Sequence, residues 1–145
     1  MRYTRRFFLA AAALTTQLPA MAAATPVKVY KNPSCYCCDL WGKHLEENGF
    51  KVELVNTTDM ASIKQKFGIP EPLEGCHTAI VNGYIVEGLV PARFVRQMLA
   101  EHQPIKGIAL PGMPVGAPGM PGSKSAPLNV YVIGGATPPK VFGSF

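Results

Sequence analysis

Val27-Lys28-Val29-Tyr30-Lys31-Asn32-Pro33-Ser34-Cys35-Tyr36-Cys37-Cys38 is the stretch from which the fold can be read. Val27 to Tyr30 alternates apolar and polar residues as a half-buried strand does, and Asn32-Pro33-Ser34 breaks it sharply. Beyond the break, from Cys38 onward, Leu40, Trp41 and Leu45 recur at helical spacing with Lys43, Glu46 and Glu47 on the other side, until Asn48-Gly49 supplies a left-handed stop. Three of the four cysteines therefore sit where a first strand passes into a first helix.

The pattern continues on the C-terminal side. Phe50 to Asn56 alternates as a second strand, Asp59 is suited to N-cap a short helix from Met60 to Phe67, and Gly68 ends it before a proline-rich loop, Ile69 to Gly75. Cys76-His77 follows. Thr78 to Val81, the two-residue turn Asn82-Gly83 and Tyr84 to Gly88 form a hairpin signal, and Pro91 to His102 reads as a closing helix with Phe94, Val95, Met98 and Leu99 on one face. The order strand, helix, strand, helix, hairpin, helix predicts a single α/β domain of the thioredoxin-like class. In that fold the segment before the third strand faces the strand-to-helix turn across a shallow groove, so Cys76 and His77 are expected to meet Cys35, Cys37 and Cys38. Pro70 and Pro72 lie upstream of the position where many thioredoxin-like proteins carry a cis proline.

Past the last helix, Ile105 to Gly122 is loaded with glycine and proline and repeats Pro111-Gly112-Met113-Pro114 as Pro118-Gly119-Met120-Pro121. Proline at these intervals disfavours helix and central strand, which predicts an extended surface loop displaying Met113 and Met120 equivalently. Leu128 to Ile133 and Lys140 to Phe145 are candidates for a final strand pair.

On the N-terminal side lies an export signal. Met1 to Arg6 is basic, Phe7 to Leu14 is an alanine-rich apolar run, and Ala20-Met21-Ala22 has the small-residue cleavage pattern, so residues 1–24 are expected to be removed near Ala22 to Ala24 and residues 25–145 to form the domain. Thr4-Arg5-Arg6-Phe7-Phe8-Leu9 has the form of a twin-arginine signal, which places the mature protein in the periplasm. The apolar run is too short, and Thr15-Thr16-Gln17 too polar, for a stable membrane anchor. Arg2, Arg5 and Arg6 belong to this leader. Of 14 Lys and Arg in the chain, the rest exceed the 9 acids by only about two, so the basic pI gives no support for a nucleic-acid partner.

Thiols at a helix N-terminus face unpaired N–H groups and the positive end of the helix dipole, which favours the thiolate that attacks disulfides and binds soft metals. Thiolates and thioethers select Cu(I), zinc or iron–sulfur clusters. A closed zinc site would use Cys35, Cys38, Cys76 and His77 and leave Cys37 without a role. Two disulfides are the alternative in an oxidising compartment: four cysteines allow three pairings, among which the sequence does not choose, and adjacent Cys37 and Cys38 would make a strained bridge. Cys35 and Cys38 also have the C-x-x-C spacing of a catalytic dithiol able to exchange electrons with protein disulfides or with copper. Tyr36 either shields the thiolates or fills space. His44, about 10 Å along the helix from Cys37, reads as solvated or packing, and His102 at a helix end favours the helix dipole and needs no ligand role. Trp41 reads as a core anchor, Met60 and Met98 as core-facing, and the scattered lysines as surface residues.

With Cys35-Tyr36-Cys37-Cys38, Gly75-Cys76-His77 and the two Pro-Gly-Met-Pro repeats in view, the chain from about Val27 to Ile133 resembles the CopG-like metal-binding proteins of bacterial copper resistance. The resemblance implies a thioredoxin-like fold, a periplasmic location, and copper held by Cys35, Cys37, Cys38 and Cys76 with His77 nearby. It extends more weakly to Met113 and Met120. Four thiolates and an imidazole exceed one tetrahedral ion, which points to several Cu(I) ions bridged by thiolates. Copper ions and other periplasmic copper-handling proteins are then the expected partners. Tyr30 to Cys35 and Leu45 to Gly49 are also similar to the opening of glutaredoxin-like arsenate reductases. Against that reading, an oxyanion needs arginine clamps, and the mature chain has only Arg93 and Arg96, in the last helix.

Overall fold

The computed structural model describes residues 23–145. Residues 1–22, which hold nearly all of the expected leader, lie outside them. The chain runs β1 (Thr25–Lys31), α1 (Tyr36–Glu47), β2 (Phe50–Asn56), α2 (Met60–Phe67), a 3-10 turn (Glu71–Leu73), β3 (His77–Val81), β4 (Tyr84–Glu87) and α3 (Ala92–Glu101), followed by β5 (Gly107–Ala109), β6 (Asn129–Ile133) and β7 (Val141–Ser144). All seven strands form one mixed sheet in the order β2-β1-β3-β4-β5-β6-β7. The thioredoxin-like order and the final strand pair are as the sequence predicts.

The sheet carries an apolar cluster on each face, the second face staying open to solvent at Lys28 and Glu53. Val27 and Val29 of β1 share one core with Trp41 and Leu45 of α1 and with Val95 and Met98 of α3. A smaller cluster of Ile69, Leu73, Ile85, Ala109 and Ile133 packs with Phe67 of α2 and with Ile80. Trp41 is fully buried, and its indole N–H donates to the Val90 carbonyl at 2.8 Å. That bond satisfies the ring's polar atom and ties α1 to the approach to α3. Met98 is likewise buried. Gly68 takes a left-handed conformation (φ 65°) at the end of α2, and Asp59 accepts the Ser62 N–H at its start.

Three expectations need correction. Ile105 to Gly122 is not wholly a surface loop: Gly107–Ala109 is a buried interior strand, parallel to β4 and antiparallel to β6. The prolines that exclude sheet pairing resume only at Pro111, and three residues are too few to display a period. Gly107 is required because a Cβ there would run into the Ile85 backbone.

The two Pro-Gly-Met-Pro repeats are not equivalent either. Met113 is 55 % exposed, whereas Met120 is half-buried against the main core. The second repeat lies on α1, where a Cβ on Gly119 would stand 2.5 Å from the Cys37 carbonyl oxygen, while Gly112 has open space.

The lysines, finally, are not all on the surface. Lys31 is 2 % and Lys64 7 % exposed. Each has an acidic partner, Asp39 at 2.9 Å for Lys31 and Glu87 for Lys64, which is what allows a cationic head to leave water.

Candidate metal centre

The Asn32 side chain shapes the turn into α1. Its Oδ1 accepts from Ser34 N at 3.0 Å and Ser34 Oγ at 2.7 Å, and the Asn32 backbone carbonyl accepts the Cys35 N–H at 2.9 Å. This Asx turn ends β1 and delivers Cys35 to the N-cap of α1. Beneath it, buried Lys31 pairs with Asp39 in the helix's first turn and bonds Asn56 Oδ1 at 3.4 Å, joining the ends of β1, α1 and β2. Cys37 and Cys38 fall in that same first turn.

Cys76 arrives from the other side. It precedes β3, which pairs antiparallel with β1 so that His77 opposes Lys31. The Sγ atoms of Cys35, Cys37, Cys38 and Cys76 all lie within 4.8 Å of one another. Cys37 is central: its sulfur is 3.5 Å from Cys35 Sγ, 3.7 Å from Cys76 Sγ and 3.9 Å from Met113 Sδ. The cysteine that a closed zinc site would leave over is thus the one touching three other sulfurs. Cys35 and Cys38 form a disulfide with Cα atoms 5.4 Å apart, leaving Cys37 and Cys76 as thiols. Burial, followed by the Cys37 sulfur beside it, pushes the Cys76 thiol up to about 12.

His77 borders the cluster without belonging to the four-sulfur set. Its Nδ1 is 3.4 Å from Cys76 Sγ, its ring lies 4.2 Å from the Trp41 ring, and its buried Nε2 has no hydrogen-bond partner. Burial, then the charge of Lys64, lowers its pKa to about 3, so the imidazole is neutral at ordinary pH. Tyr36 is 72 % exposed and does not cap the sulfurs. With Cys37, Leu40, His44 and Met120 it lines an open groove of about 680 Å³. His44 has a packing role, accepting the Ala92 N–H through Nε2 at 3.1 Å. Arg93 and Arg96, the arginines among the described residues, are engaged elsewhere, Arg93 with the Ser144 carbonyl and Arg96 with the Asn48 carbonyl.

Sequence reasoning missed the group behind Cys76. Glu87 is fully buried, its Oε1 accepting from Lys64 Nζ and, at 2.7 Å, from the Gly75 N–H, and its Oε2 accepting from Thr78 Oγ1 at 2.6 Å. The available signal was a carboxylate closing the otherwise apolar strand Tyr84-Ile85-Val86-Glu87, opposite Thr78 in the hairpin register.

Residues 73–120 match a family described as a protein of unknown function, DUF411. No curated protein matches. Among solved structures, the chain is similar to "Copper resistance protein copG- Form 2" at 35% identity and a TM-score of 0.77, covering 84% of this chain and 98% of that one. It is similar to "Copper resistance protein copG- Form 1" at 36% identity and a TM-score of 0.76, with the same coverage.

Proposed function

Since the chain belongs to the family of the copper resistance protein CopG, we propose that it is a periplasmic copper-resistance protein, exported by the twin-arginine route and cleaved near Ala22 to Ala24. Its cargo is Cu(I), more than one ion per chain, bridged by the thiolates of Cys35, Cys37, Cys38 and Cys76, with His77 beside them. The observation that carries this reading is the approach of four cysteine sulfurs to within 4.8 Å, with Cys37 in contact with three neighbouring sulfurs. Soft donors in this density suit Cu(I) over hard cations, and a thiolate with several sulfur neighbours is placed to bridge. Met113, exposed and 3.9 Å from Cys37, is the weaker outer ligand. Met120, packed against the core, is the less suited of the two.

The Cys35–Cys38 disulfide must be opened before all four sulfurs can serve. A dithiol reductant supplies two electrons and two protons, yielding two cysteine thiols, and copper binding then releases protons from the thiols it takes. The test is anaerobic reconstitution of the reduced mature protein with Cu(I), followed by metal analysis. Several equivalents of Cu(I), lost on Cys37→Ser, are expected. One tightly bound ion per chain would refute the bridged cluster.

The disulfide itself favours a second reading. Cys35 and Cys38 at the N-terminus of α1 have the geometry of a thiol–disulfide oxidoreductase. Fast insulin reduction by protein that takes up no copper would select it.

A further inference from the structure

We infer that Glu87 is a positioning residue for the sulfur cluster: through the Gly75 N–H it fixes Cys76 in contact with Cys37. The inference rests on reading Cys76 as a copper ligand, and concerns how that ligand is held before any metal arrives.

Cys76 sits in a short span between two backbone anchors. On one side the Glu74 carbonyl accepts the Gly112 N–H at 2.9 Å, and on the other the His77 carbonyl accepts the Gly88 N–H at 3.0 Å. Between them, among the described residues, the only side-chain acceptor for a backbone N–H is Glu87 Oε1, at 2.7 Å from Gly75 N. The chain passes Gly88 so closely that a Cβ on Gly75 would lie 2.5 Å from the Gly88 Cα. Glycine at position 75 therefore permits the approach, and the carboxylate holds it.

Glu87 is itself immobilised. Thr78 donates to its second oxygen and Lys64 to its first, and Glu87, Thr78 and Lys64 are all buried. A buried ion pair is a costly way to gain stability, because desolvation of both charges offsets much of their attraction, and apolar replacements of similar volume are often neutral. Its value here is orientation. Lys64 and Thr78 occupy the carboxylate so that one lone pair faces Gly75, one residue from the sulfur that must meet Cys37 at 3.7 Å.

The experiment reads that sulfur–sulfur approach without copper, so its failure is distinct from failure of the copper reading. In the full mature chain carrying Cys35→Ser and Cys38→Ser, the rate at which diamide oxidises Cys37 and Cys76 to a disulfide reports their contact. The diamide is reduced to the hydrazine as the S–S bond forms. Two further double variants are compared in that background. K64M/E87Q removes both buried charges but keeps an acceptor for Gly75, whereas K64M/E87L removes the charges and the acceptor. Cross-linking within about threefold of the parent for K64M/E87Q and at least tenfold slower for K64M/E87L, at matched thermal stability, is expected. Equal rates in the two variants would overturn the inference. Should K64M/E87L fail to fold, hydrogen exchange of the Gly75 amide in the unaltered protein decides: strong protection supports the bond to Glu87, and exchange at the rate of an open loop amide overturns it.

Discussion

Cys37 and Cys76, 39 positions apart in the chain, hold their sulfur atoms 3.7 Å from each other. This contact joins the first turn of α1 to the entry of β3, and with Cys35 and Cys38 paired it is also, among the described residues, the only pair of free thiols. Thiol titration of the unreduced, unfolded protein is therefore expected to find two reactive groups, rising to four after reduction. Copper uptake is expected to rise in parallel, because reduction doubles the thiolates available. Equal Cu(I) binding before and after reduction would show that Cys35 and Cys38 are not ligands.

His77 links the site to stability at low pH. Its pKa is lowered from 6.5 to about 3, chiefly by burial, so the unfolded chain takes up a proton in a range where the folded chain does not. The unfolded state then binds more protons, and stability falls as pH drops from about 6.5 towards 3, at about 1.4 kcal/mol per unit. Above 6.5 both states are neutral and the full stability is present. For the metal-free protein, denaturant unfolding at pH 5 is expected to give about 2 kcal/mol less stability than at pH 6.5. His77→Phe, which keeps an aromatic ring beside Trp41, should flatten most of that slope. An unchanged slope in the variant would assign the acid sensitivity to other groups.

His44 closes the N-terminus of α3 from a different helix. Pro91 at the N-cap offers no side-chain acceptor, and His44 Nε2 instead accepts the Ala92 N–H at 3.1 Å. Accepting requires that nitrogen to be unprotonated, which agrees with a pKa lowered mainly by burial. Removing a helix cap costs about 1 kcal/mol. His44→Ala is expected to lose roughly that much in denaturant unfolding while binding as much copper as the parent, and His44→Gln, whose carbonyl can accept, to recover part of it. A loss of copper in the alanine variant would give His44 a role at the metal.

The sequence made the first strand, the three helices and the hairpin readable because each carries enough residues to show its period or its stop signal. Cys35, Cys37, Cys38 and Cys76 were recognisable by type and by their places in the inferred fold. β5 was not, since Gly107-Ile108-Ala109 is too short to show alternation and owes its place to pairing with β4 and β6. Lys64 and Glu87 escaped for another reason. A lysine in an amphipathic helix ordinarily faces water, and only the folded chain brings it to a carboxylate 23 residues away. The inequality of Met113 and Met120 likewise depends on what each repeat packs against, which identical local sequences cannot encode.

That inequality can be tested at the glycines. Gly112 and Gly119 both have positive φ, 70° and 94°. An alanine at either is strained by about 1 kcal/mol or more in a left-handed conformation. At Gly112 the new methyl would meet nothing within 4 Å, so strain is the main cost. At Gly119 it would also press on the Cys37 carbonyl at 2.5 Å and the Trp41 N at 3.3 Å, both rigid helix backbone. Only the loop can yield there, drawing Met120 off α1. Gly119→Ala is accordingly expected to destabilise the fold more than Gly112→Ala, by roughly 1–3 kcal/mol as for other overpacked sites, and to leave Met120 the more readily oxidised by peroxide. Equal destabilisation by the two substitutions, with Met120 still protected, would show that the second repeat does not depend on its close fit to α1.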